Sequence, residues 1–212
     1  GGYLETQSDV WLGNAGMTRG VANISGGLWV PKAQFEVAHG GSTVSWLNMS
    51  GGEIVMPVSG KNFIVANNGN GQFTTGTVSM TGGKITVTNG AAMNFGNASN
   101  GLGRCFLGGT GFIFTRDFKL GTVRAGRGEC TVTGGLLRAE NYIGVGSAAG
   151  ASGALCVDGG EVSAKQFNIG DSTGGAGSFA LSNGVVRTEG KFYVGVAGTG
   201  TGGSSGSGSA GL

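Results

Sequence analysis

Charge is scarce in this chain. Only 11% of its 212 residues are Asp, Glu, Lys or Arg, less than half the roughly 25% of an ordinary soluble protein. The 13 basic and 11 acidic side chains leave a net charge of +2. The basic residues are scattered, so no patch or stripe exists to recruit nucleic acid or an anionic membrane surface, and neither is expected as a partner. Histidine occurs once, at His39. That excludes multi-histidine metal sites and leaves room for at most one Ser-His-Asp arrangement. No nucleophile elbow lies nearby, and His39 reads as a turn residue in Ala38-His39-Gly40-Gly41. No apolar run approaches the 18 or so residues that span a bilayer, and the start lacks a basic-then-apolar leader pattern. A membrane span is therefore not expected.

Glycine is abundant instead, with 49 residues against two prolines, and 39% of the chain is hydrophobic, enough for a core. The glycines keep time. Gly-Gly pairs recur at 1-2, 26-27, 51-52, 82-83, 108-109, 134-135 and 159-160, and Asn183-Gly184 makes an eighth marker. The intervals are 25, 25, 31, 26, 26, 25 and 24. Between them runs a second signature, apolar-x-apolar-small: VWLG, FEVA, FIVA, MNFG, FKLG, NYIG, FNIG and FYVG. Its third position is Leu12, Val37, Val65, Phe95, Leu120, Ile143, Ile169 and Val194, apolar in all eight copies and expected to form one core stack. Two markers keeping one count define a repeat.

Within each unit apolar and polar residues alternate with a period of two, which is strand periodicity. Inward pairs such as Leu47/Met49 and Leu155/Val157 precede the glycines, and Leu4, Trp29, Ile54, Ile85, Leu137, Val162 and Val186 follow them. In the fourth unit Phe112 is expected to take that slot. Three short strands in about 25 residues cannot bury their own apolar face, whereas coaxial stacking makes one continuous core. The expected fold is all-β: a single parallel β-helix (β-solenoid) of about eight rungs over residues 1–202. Crossover statistics favour right-handed coiling. Residues 203–212 read as a Ser/Gly-rich tail or a junction to a next subunit. Like residues should pile up about 4.8 Å apart in a rod on the order of 40 Å long.

The recurring "SGGxhxx…FxhG…GxGxG" pattern, along nearly the whole chain, resembles the autotransporter-associated β-strand repeats of large bacterial surface and secreted proteins. The resemblance implies an extracellular parallel β-helix, in a family whose passengers are often adhesins or surface scaffolds. It carries over no shared catalytic residues.

The chemistry-bearing positions read as structural. Gly27, Gly52, Gly83, Gly109, Gly135, Gly160 and Gly184 are expected to be turn markers with positive φ, since a phosphate loop would need a following helix and none is indicated. Asp158, Glu161 and Asp171 come closest to a carboxylate cluster, yet each sits alone in its column, so neither a pectate-lyase-like Ca²⁺ groove nor any cofactor is expected. Glu53 and Lys84 occupy the same slot in successive units and are expected to form an ion pair. Cys105 and Cys130 share an inward column with side chains pointing in parallel, which disfavours a disulfide, and Cys156 falls one position out of phase, facing outward. An outward ladder of hydroxyls is expected at Ser25, Ser50, Thr81, Thr133 and Ser182, with Asp158 among them. Such a ladder can bind glycan, carry O-linked sugar or order water against ice, but the ice reading needs paired Thr-x-Thr rows, and only Thr131/Thr133 supplies one. Neither end shows a capping element, and a whole number of units fits between Leu4 and Leu212, the expected subunit junction. The leading expectation is a non-catalytic extracellular structural protein whose subunits stack head to tail. A passenger segment of a longer bacterial adhesin, binding glycan or matrix, is the alternative, and a polysaccharide-active enzyme is disfavoured.

Overall fold

A computed structural model describes residues 1–67, 72–195 and 207–211. It is all-β: a parallel β-solenoid of about eight turns with about 25 residues per turn. The described residues form no helix, so none is long and apolar enough to cross a membrane. The strands are β1 (Tyr3–Thr6), β2 (Val10–Asn14), β3 (Arg19–Pro31), β4 (Phe35–His39), β5 (Val44–Met56), β6 (Phe63–Asn67), β7 (Thr74–Phe95), β8 (Gly101–Leu107), β9 (Phe112–Leu120), β10 (Arg127–Val132), β11 (Leu136–Val145), β12 (Ser152–Ile169), β13 (Ala176–Thr188), β14 (Phe192–Val194) and β15 (Ser207–Gly211). The long ones run around corners. β3, β5, β7, β12 and β13 each pass through a Gly-Gly or Asn-Gly bend, where the register steps before pairing resumes on the next face.

Each turn presents three faces, and each face stacks in parallel on the next turn. Along the face before the glycines the order is β3–β5–β7–β8–β10–β12–β13–β15. Along the face after them it is β1–β3–β5–β7–β9–β11–β12–β13, and the third face runs β2–β4–β6–β7–β9–β11–β12–β14. The segment expected as a tail contributes β15, which pairs with β13 from Ala176↔Ser207 to Ala180↔Gly211. Strand pairing therefore continues past the boundary expected at residue 202.

The glycine markers stand where the chain must turn against a close neighbour. All seven have positive φ, from 55° at Gly109 to 109° at Gly184. A Cβ on Gly160 would lie 2.6 Å from the backbone of Gly134 in the turn below, so any other residue would be strained and would clash. A second corner uses the small residue of the other signature. Gly13, Ala38, Ala66, Gly96, Gly121, Gly146, Gly170 and Gly195 all have φ between 60° and 71°.

The core takes inward residues from all three faces, and the two inward residues of that signature supply the third. Leu12, Val37, Val65, Phe95, Leu120, Val145, Ile169 and Val194 form one column. Val145 occupies the place expected for Ile143. Ile143 is fully buried, but it pairs with Phe118 and Phe167 in the neighbouring column. The cause is an irregularity between Ala139 and Tyr142, where β11 carries one more residue than β9 or β12 and the true signature is Ile143-Gly144-Val145-Gly146. Similarly Ile113, not Phe112, pairs inward with Ile85 and Leu137, and Phe112 faces out opposite Lys84. Aromatic rings reinforce the stack, with Phe35 on Phe63 at 4.9 Å and Phe95 against Phe118 at 5.0 Å. Burying each such side chain contributes about 1.5–3 kcal/mol. Burial falls away at the two ends, where Leu4 is 49% and Val194 45% exposed.

Candidate functional site

Three kinds of surface remain once the core is removed: the outward ladders, a hydrogen-bonded corner, and the two end rungs. The hydroxyls of Ser25, Ser50, Thr81, Thr133 and Ser182 are all exposed. They do not form a straight column, because the register steps at the glycine corners, pairing Ser25 with Gly51 and Ser50 with Gly82. Asp158 is tied into the series by Ser182, whose hydroxyl donates to its Oδ1 at 2.8 Å.

The acidic residues lie apart. Glu161 pairs with Arg187 at 3.1 Å. Asp171 accepts from Asn168 Nδ2 at 2.6 Å and lies beside Gly144 and Ser147. Burial raises the Asp171 carboxyl above the ordinary carboxylate range, against the opposing pull of Asn168 and Lys119. Burial, with the nearby Asp171 and Asp117 charges, likewise pushes the Tyr142 hydroxyl upward. Among the described residues no three His, Cys, Asp or Glu side chains are grouped to hold a metal ion. Glu53 and Lys84 meet at 3.0 Å as the sequence suggested, and Arg104 and Glu129 repeat the arrangement at 3.1 Å on another face. Such partly exposed pairs contribute under about 1 kcal/mol.

Cys105 and Cys130 are in-register partners, both buried and both free thiols. Their mutual hydrogen bond, with burial second, holds the Cys130 thiol well above its usual range. Cys156 pairs with Thr131 on the outward side and is only half-buried.

His39 is not a turn residue but the last residue of β4, paired with Asn14 and Asn67. Its Nδ1 is 2.5 Å from Glu36 Oε2, so the ring carries a proton there and donates it to the carboxylate. Asn67 Nδ2 donates to the same oxygen at 2.6 Å, Asn97 Nδ2 to Asn67 Oδ1 at 3.1 Å, and Thr122 Oγ1 to Asn97 Oδ1 at 2.7 Å. These side chains link four successive turns just after the small residues of the third face. Glu36 is only 3% exposed, which makes it the buried anionic anchor of the series. The indole of Trp11 stacks on the His39 ring at 4.5 Å and closes one side. The signal was present in the sequence, since a polar residue follows Ala38, Ala66, Gly96 and Gly121 in turn.

On the second face Phe112 and Phe114 both point outward with ring centroids 6.4 Å apart, Lys84 over the first ring and Arg138 over the second. Arg138 also lines an open groove of about 720 Å³, together with Glu140, Ser163, Lys165 and Glu189 among others.

The end rungs are different in kind. Tyr3, Leu4, Trp11 and Val21 are exposed at one end, and Val185, Phe192, Tyr193 and Val194 at the other. Beneath the first of these edges lies a second hollow, lined by Leu4, Ala22, Ile24 and Trp29. The junction expected at Leu4 falls on this open edge. Leu212 lies outside the described residues.

These features define the chain as a parallel β-solenoid. In comparisons with known proteins, no family model, no curated protein and no solved structure matches it.

Proposed function

We propose that this chain is a non-catalytic structural β-solenoid of an extracellular or cell-surface assembly, in which copies stack end to end as a filament or fibre. The observation that carries this reading is the distribution of exposed apolar surface. Large apolar side chains gather on the two end rungs, where the main-chain edges of the strands have no further partner among the described residues. An edge of that kind templates another strand. The ends are not the same surface, so the contact is heterologous and builds an open chain of subunits. The extracellular setting is supported by the resemblance of the repeat to autotransporter-associated strands, and the non-catalytic role by the separation of the acidic residues into different columns.

Electron microscopy and sedimentation velocity of the purified chain over a concentration series test the reading. Rods that lengthen with concentration, in increments of about eight rungs, are the expected result. Short rods of one length at every concentration would sink it.

A second reading is favoured by one observation, the outward Phe112/Phe114 pair joined through Arg138 to the polar groove. Aromatic rings next to hydrogen-bonding side chains suit a polysaccharide, so the side face of an adhesive passenger would bind there. Retardation of the chain in gels containing neutral glycans, lost on F112A/F114A, is the outcome this reading requires.

A further inference from the structure

The two open ends match each other strand for strand. Among the described residues, 19–24 of β3 pair only with β5, β1 only with β3, and β2 only with β4. At the other end 185–188 of β13 and all of β14 pair only with β12, and β15 only with β13. In chain order the open strands at the start lie on the second, third and first faces, and so do those at the end. Each end is therefore a one-turn ledge, and the ledges are congruent.

We propose that a second copy of this chain docks so that its β1, β2 and β3 continue the turn of 185–188, β14 and β15 as parallel strands. This rests on the end-to-end reading above and adds to it the register. Continuing the existing columns sets Val186 beside Leu4, Phe192 beside Val10 and Val194 beside Leu12 on the inside, with Tyr193 beside Trp11 on the outside. Tyr3, Leu4 and Trp11 on one edge thus gain the apolar neighbours Val185, Val186 and Tyr193 from the other, whereas Val21 falls in the column of Ser209, and the hollow under Leu4, Ala22 and Ile24 is closed by β15. Arg187, paired with Glu161 at 3.1 Å, falls in the column of Glu5, paired with Lys32 at 3.5 Å, so the junction brings the two ion pairs side by side with Arg187 next to the Glu5 carboxylate. A slip of one residue would set inward side chains against outward ones along the whole edge, which fixes the register.

Cysteine crosslinking reads the register directly. Val185→Cys and Tyr3→Cys, each in a Cys156→Ser background, place one thiol on either side of the junction in one column, both at exposed positions. Mixed and treated with a short bifunctional thiol reagent, which bridges stacked thiols without requiring disulfide geometry, they are expected to yield a covalent dimer that neither variant yields alone. Val185→Cys mixed with Gln7→Cys, past the end of β1 and more than roughly 10 Å from the Tyr3 column, yields none. A dimer from Tyr3→Cys alone, or an equal yield with Gln7→Cys, overturns the register. Sedimentation separates the two levels of the claim. Copies that remain monomeric at every concentration sink the end-to-end reading itself, and copies that associate without the Val185–Tyr3 crosslink sink this junction only. Arg187→Glu is expected to weaken association and to recover it when mixed with Glu5→Lys copies.

Discussion

Replacing Glu36 with alanine tests whether the corner network holds the turns together. The carboxylate accepts from His39 at 2.5 Å and from Asn67 at 2.6 Å, and is almost wholly buried. A hydrogen bond to a charged group is worth about 1.5–3 kcal/mol, so two give an upper figure of about 6 kcal/mol. His39 keeps contact with water at 30% side-chain exposure, which weakens its share, and removing the carboxylate recovers part of its desolvation cost. The expected net loss is about 3 kcal/mol. In a stacked repeat such a loss is felt locally, as fraying from the nearer end. Hydrogen exchange should therefore speed up by roughly two orders of magnitude in the strands from β1 to β4, while β10 to β12 keep their protection. Glu36→Gln retains an acceptor oxygen and should lose about half as much. Unchanged exchange in Glu36→Ala, or equal damage from alanine and glutamine, would refute the account of Glu36 as a charged hub.

Three further outcomes are expected. Phe118→Ala removes a fully buried ring in the middle of the stack and should cost about 3–5 kcal/mol, read as a fall in the urea midpoint. Under native conditions a maleimide should modify Cys156 alone, with Cys105 and Cys130 reacting only on unfolding, because their thiols are buried and that of Cys130 is held protonated; mass spectrometry counts the adducts. Asp171 has a folded pKa raised by burial, so the native state binds its proton more tightly than the unfolded one. Its contribution should become more favourable as pH falls through that raised value and level off below the unfolded value. Asp171→Asn should accordingly leave neutral-pH stability unchanged or improved and flatten this acid-side term, as measured by thermal melts from neutral pH to the carboxylate range.

The fold was legible because the two markers are consequences of backbone geometry. A left-handed corner against a close neighbour admits Gly or, at the second corner, Ala, and such positions repeat visibly. What slipped was phase within a period of two. Asn141-Tyr142-Ile143-Gly144 keeps the count of the repeat but puts a polar residue in the first apolar place, whereas Ile143-Gly144-Val145-Gly146 satisfies apolar-x-apolar-small in full; both keep Ile143 inside, which hides the slip. The extra residue of β11 makes room for the second. Phe112 was misplaced for the converse reason: a large apolar residue one step from an apolar isoleucine looks like core, yet it faces solvent under Lys84. The corner network escaped because Glu36 occupies an outward slot by alternation, and its burial follows from the side chains that fold over it.

The hydrogen bonds of these strands run along the long axis of the rod rather than across it. A force applied between the two ends would therefore load all three faces of a single interface together, as parallel springs, and interfaces one after another, as links in series. Such a rod has no sliding mode under tension. It can fail only by the rupture of one whole turn from the next, and the turns with the least buried core, at the ends, set the strength of the whole.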